Sequence, residues 1–547
     1  MFSRSNTRGF FLVCMLIHLL FAALVVRGAD IAPLGPEDET LLKKGLTSEN
    51  LKTLIDGFVG RIEAHYAGKK LVPDDLKKWF AENPDIREAF WLALSPKHDK
   101  VGKAVKIIDK LRKKDEKKLK KYYHLAIAIA VVWDDRGNVN RSRRASVWGV
   151  GGKQFTPTIS WEQVFDYFTN RKYMSRFVFR PDQLRWPLMT HMVNLDVSEA
   201  EYKWALSKMA RYRKNIAKLY PLVEYDYVKL NEKKPKLGTK PYTLQNLLKY
   251  GGVCGDQAHF SSRVAKCFGV PSMKCSGKGR YGGRHAWMGY LVARGGRPLL
   301  EFTGRYMYDY YYTGAVVDPQ TGRKTLDRSV ALMYDGASHS YRKYIDSLTL
   351  SRIADGIKKS NPERSIDLAE KALKMNFYNK YGWYLLMDHM KAKTISLKQA
   401  QSWFNTMLKA LRAHPDLTIR FLNALLECIP KDELNKRMRL YGQAYPIYRK
   451  RPDLQIRMRI AQCNELLESE NELKALTLAI QTADANAKEG GAILRLVKMA
   501  VDIGNKNNKA SAVKGYLKRI EKKFPKKRGS KESKAYKTFK DLLAQLK

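Results

Sequence analysis

Three side chains spread over residues 250–302 have the types and spacing for covalent chemistry: Cys254, His285 and Glu301. The stretch reads YGGVCGDQAHFSSRVAKCFGVPSMKCSGKGRYGGRHAWMGYLVARGGRPLLEF. Ala258, Ser261, Ala265 and Phe268 recur every three or four residues, which predicts a helix with Cys254 at its start. Gly269 and Pro271 end it. Unpaired backbone N–H groups and the positive dipole end at a helix start favour thiolate over thiol. His285 then opens an apolar strand, HAWMGYLV, and Glu301 lies on a second short strand, PLLEF. A thiol at a helix start, an imidazole on a strand and a carboxylate on the next form a candidate Cys-His-acid set for acyl transfer.

Each member has a plainer role to be weighed against. A lone cysteine is usually a small buried hydrophobe, but Gly251-Gly252 before Cys254 allow an unusual backbone and close substrate approach. Asp256, in the first helical turn, reads as a capping acid, and the N–H of Cys254 is the better placed oxyanion donor. His259 is offset by five residues, about 140° round the helix from Cys254, which leaves His285 as the base. A tight turn on Gly295-Gly296 sets Glu301 opposite Tyr290; a bulge or staggered strand is needed to bring it to His285. Asp309 and Asp318 are the fallback acids.

GGVCGDQA, FGVP, RHAW and LEFT, in that order, resemble the core of the transglutaminase-like superfamily of papain-like cysteine enzymes. The resemblance implies acyl transfer or hydrolysis through a Cys254 thioester, as a peptidase, an amidase or a protein cross-linker. His285 would move protons and Glu301 would stand where the family carries Asp. It implies a protein or peptide substrate and no metal or organic cofactor. The competing class is a non-catalytic scaffold that keeps the fold and binds proteins or anionic polymers.

The fold class expected is α+β: a helix packed on an antiparallel sheet at 236–338, between a mainly helical region at 29–235 and an all-α region at 339–547. Residues 40–135 carry helical spacing, with an apolar helix in HLAIAIAVVWDD. Residues 136–160 read as a loop, and Ser198 with Glu201 as a capping box. The stretch around FRPDQLRWPLMTHMV reads as extended, with His191 as a packed histidine. Tyr306, Tyr308, Tyr310 and Tyr312 alternate like a strand face. Asn361-Pro362 starts a helix pair similar to a tetratricopeptide unit, in a degenerate array or a bundle. The basic stretch KKFPKKRGSKESK reads as an exposed link.

The chain has 547 residues, 44% of them hydrophobic, and a formal charge of +47, so it reads as a folded protein with a basic surface. Arg4, Arg8, the apolar run Phe10–Val26 and a Val26-Arg27-Gly28 cleavage site mark 1–28 as an export signal. The product is then secreted, periplasmic or on the cell surface, with no later transmembrane segment. Its loss removes three arginines and no acids, leaving +44. Such charge suits anionic cell-surface polymers; no zinc-finger spacing or RNA-binding signature points to sequence-specific nucleic acid. Five cysteines follow the signal, an odd number, so at least one thiol is free. Cys267 and Cys275 flank a short connection and are expected to pair.

Overall fold

The computed structural model describes residues 31, 33–139, 154–155, 158–279, 283–305, 312–528 and 531–546. The expected export signal, most of the expected loop at 136–160, and Tyr306, Tyr308 and Tyr310 lie outside the described residues. The architecture is α+β: a five-stranded antiparallel sheet set among helices. Among the described residues no helix is long and apolar enough to cross a membrane.

The strands are β1 (Ser272–Lys278), β2 (Arg284–Arg294), β3 (Arg297–Thr303), β4 (Ala315–Val317) and β5 (Lys324–Leu326), in the order β3-β2-β1-β4-β5. Gly295 and Gly296, both at positive φ, close the β2–β3 turn. Alternation sorts the side chains into two faces. Ser272, Lys274, Ser276, Ala286 and Met288 face the helix Cys254–Cys267, and the Ser272 hydroxyl donates to the Ser262 carbonyl at 2.7 Å. Cys275 and Trp287, paired across the ladder and fully buried, fill the other face.

This division separates the two cysteines expected to form a disulfide. Cys267 ends the helix on one face and Cys275 points to the other, and both thiols are free and buried. The sheet stands between them.

The helix itself is enclosed, and its buried Arg263 and Lys266 find partners inside the fold. Arg263 holds Asp196 through two hydrogen bonds of 2.9 and 2.7 Å, and the Lys266 ammonium donates to the Asn194 side chain at 2.6 Å. Both cations are 1% exposed, so the segment 194–196 is fixed to the helix by paired groups. Just before it, the expected extended stretch is a helix, Trp186–Val193, with Pro187 in its first turn. All eight of its residues are buried, so it has no polar face from which a helical period could be read. Burial pushes His191 down to about 3, keeping it neutral.

The Ser198–Glu201 capping box forms as expected, with N–H bonds of 2.8 and 3.3 Å. Asn361 caps Pro362–Met375, which pairs with Lys380–Lys391, and further helices follow to Ala544. A two-residue ladder, Lys527–Arg528 with Lys531–Glu532, interrupts the expected basic link. One buried apolar cluster runs from Leu42 to Met458, and a second from Ile456 to Leu546. The three expected regions thus share one core as far as residue 458.

Candidate functional site

Asp256 makes the start of the thiol helix rigid. Its Oδ2 accepts from the Val253 N–H and the Lys229 ammonium, each at 2.8 Å, and its Oδ1 accepts from the Tyr242 hydroxyl at 2.8 Å. All of this is buried. A Cβ at position 252 would lie 2.4 Å from that of Asp256. Gly252 therefore serves the folded-back cap, where the sequence suggested room for substrate.

Cys254, half-buried, lies by the first residues of β2. The β2–β3 ladder ends at Met288 and Thr303. Beyond it, the Ala286 N–H donates to the Cys254 sulfur and the Ala286 carbonyl accepts from the Tyr220 hydroxyl at 2.7 Å. Burial nonetheless pushes the Cys254 thiol above its ordinary range; the Ala286 N–H and the Lys274 charge pull it down only in part. This corrects the expectation of a thiolate at rest. Desolvation at the sheet corner outweighs the helix start, so the group rests as a thiol and needs a base.

His285 directly precedes Ala286, the β2 residue whose N–H holds the Cys254 sulfur, and by alternation its ring lies on the sheet face opposite the one the thiol helix covers. Its Nε2 lies 2.6 Å from the Gly304 carbonyl. A carbonyl only accepts, so Nε2 carries the proton and Nδ1 is the nitrogen that can take one. The ring lies 6.0 Å from Trp287, on the sheet face the two share. His259, the discounted rival, packs against Tyr242 at 5.1 Å.

Glu301 is not brought to His285. It pairs with Tyr290 across the tight turn, and its side chain shares the Tyr290 face of the sheet, opposite to the one carrying His285. There it forms an ion pair with Arg294, while burial and the nearby carboxylate push Tyr290 up to about 12. The group orienting His285 is instead a backbone carbonyl, a role no side-chain pattern announces. Asp318 is spent in its own turn, accepting from the Gln320 and Thr321 N–H groups at 3.0 and 2.8 Å, and Asp309 lies outside the described residues. Glu301→Gln is therefore expected to change stability by under about 1 kcal/mol, as an exposed ion pair does. It should also leave thiol acylation within about twofold, the general base being untouched. A tenfold loss of acylation in that variant would return Glu301 to the site.

The sequence reading missed two lysines. Lys229 is 3% exposed and serves Asp256. Lys274, half-buried, lies on the β1 face toward the thiol helix, among Asp256, Arg263, Cys254 and Lys229. Burial pulls it down to about 8, with Asp256 opposing and Arg263 reinforcing the fall. While protonated it favours the Cys254 thiolate. Lys274→Met is expected to move the pH profile of Cys254 alkylation to higher pH and slow the reaction about threefold or more at pH 7. An unmoved profile, read by mass spectrometry of the Cys254 peptide, would remove Lys274 from the site.

Among the described residues no group of three His, Cys, Asp or Glu side chains could hold a metal ion. No family model, curated protein or solved structure matches the chain.

Proposed function

We propose that this is an exported cysteine enzyme with a transglutaminase-like core, performing acyl transfer or hydrolysis on a protein or peptide through a Cys254 thioester. The observation that carries the reading is the corner where the Cys254 sulfur accepts the Ala286 N–H beside His285, whose tautomer is set by Gly304. Nδ1 of His285 takes the thiol proton as the sulfur attacks the substrate carbonyl carbon. The N–H of Cys254, in the unpaired first turn, can steady the oxyanion. The imidazolium returns its proton to the leaving amine, and water or a second amine then resolves the thioester. On this reading the export signal expected at 1–28 and the net positive charge of the sequence suit work among anionic cell-surface polymers.

A small activated ester such as p-nitrophenyl acetate tests the mechanism. The expected product is a single acetyl group on Cys254, absent in Cys254→Ser and slowed about a hundredfold or more in His285→Ala, the usual worth of a general base. Equal acetylation with and without His285, or a label on half-buried Cys428 instead, would sink it. The scaffold reading has its own support in the upward push that burial gives the thiol. It predicts a Cys254 that reacts no faster than a free thiol of that basicity.

A further inference from the structure

The short helix Tyr227–Glu232 is built inside out. Lys229 is its buried residue, clamped to Asp256, while Tyr227, Val228 and Leu230 are 65%, 37% and 48% exposed. Among the described residues eight large apolar side chains are exposed, and three of them stand on these six positions; the other five are scattered singly. Scattered apolar residues need no explanation, but a cluster turned outward while a lysine is buried does. The helix is also held firmly. Asp226 accepts from the N–H groups of Lys229 at 3.0 Å and Lys236 at 2.8 Å.

The residues leading into this helix are tied to the chain just before Cys254. Gly252, two residues before Cys254, pairs with Tyr225, accepts from the Asp226 N–H at 3.0 Å and donates to the Glu224 carbonyl at 2.9 Å. Exposed Lys233, Lys234, Lys236 and Lys240 rim the helix, against exposed Glu224 and Glu232. Six helical residues span about 9 Å, the reach of two or three side chains of an extended strand at about 3.3 Å per residue. That suits a polypeptide segment better than a lipid surface, which takes longer amphipathic helices.

We propose that Tyr227, Val228 and Leu230 dock an extended acidic polypeptide segment bearing apolar side chains, leading its backbone to the thiol. As an account of substrate class this rests on Cys254 being the nucleophile, but the docking itself needs no thiol. The probe is a fluorescent random copolymer of glutamate and tyrosine, followed by anisotropy at physiological salt, with polyglutamate and anionic phospholipid vesicles alongside.

The expected result is tighter binding of the copolymer than of polyglutamate. Tyr227→Ser/Leu230→Ser should lose at least about tenfold of copolymer affinity with polyglutamate binding and melting temperature unchanged. Truncated apolar anchors commonly cost that much. Lys233→Gln/Lys234→Gln/Lys236→Gln should weaken both polymers, and Cys254→Ser should bind as wild type. The proposal is overturned if wild type does not bind the copolymer or if the apolar double variant stays within twofold of it. It is equally overturned if that variant loses only vesicle binding. Failure of Cys254 acetylation with the docking intact would instead strike the nucleophile alone.

Discussion

Asp256→Ala is expected to cost about 3–5 kcal/mol of folding stability, the range for breaking a buried ion pair by removing one partner. One carboxylate holds the Val253 N–H, the Tyr242 hydroxyl and the Lys229 ammonium, and none of these reaches solvent. Its loss strands a charge that is 3% exposed, along with two polar groups. Asp256→Asn keeps the shape and one acceptor oxygen, so it should fall between alanine and wild type. The sign of the effect on Cys254 is opposite, because the Asp256 charge pushes the thiol up. Wherever the variant remains folded, its thiol should alkylate at lower pH. Denaturant unfolding checks the first claim; a loss under about 1 kcal/mol would mean that Lys229 finds water or another partner.

The same carboxylate shows how far the sequence could be read. Asp256 in the first turn, Gly269 and Pro271 at the end and the apolar spacing between them made the thiol helix and its cap legible, because those signals are local. The β2–β3 hairpin was legible too: Gly295-Gly296 permits a two-residue turn, and that turn alone sets Tyr290 against Glu301. Family spacing pointed Glu301 at His285, and register decided against it, since odd and even positions leave a strand on opposite faces. What stayed hidden were long-range pairings of groups whose types suggest the surface. Lys229 stands between Val228 and Leu230 just before a lysine-rich stretch and is buried; Lys274 looks like a solvated strand lysine and sits by the thiol. The Trp186–Val193 helix was hidden for the converse reason, being apolar on every side. The acceptor for His285 belongs to a glycine, and backbone carbonyls leave no mark in composition.

That glycine carries the second large effect. Gly304→Ala is expected to destabilise the fold by about 2–5 kcal/mol and to slow Cys254 acetylation about a hundredfold. Gly304 has φ +71°, where a Cβ costs about 1–2 kcal/mol. The new Cβ would also stand 2.3 Å from the Tyr220 ring, an overlap that a packed site relieves only by moving, at about 1–3 kcal/mol. Either movement reaches the chemistry. Tyr220 donates to the Ala286 carbonyl, whose own N–H holds the Cys254 sulfur, and the Gly304 carbonyl fixes the His285 ring. Misplacing a general base by about 1 Å is enough for a loss of that size. A double-mutant cycle separates strain from overlap. In a Tyr220→Leu background the ring is gone, so Gly304→Ala should cost only the backbone term and show a coupling of about 1 kcal/mol or more. Additive losses in stability, or full acetylation rates in Gly304→Ala, would show that the Tyr220–Gly304 contact does not position His285.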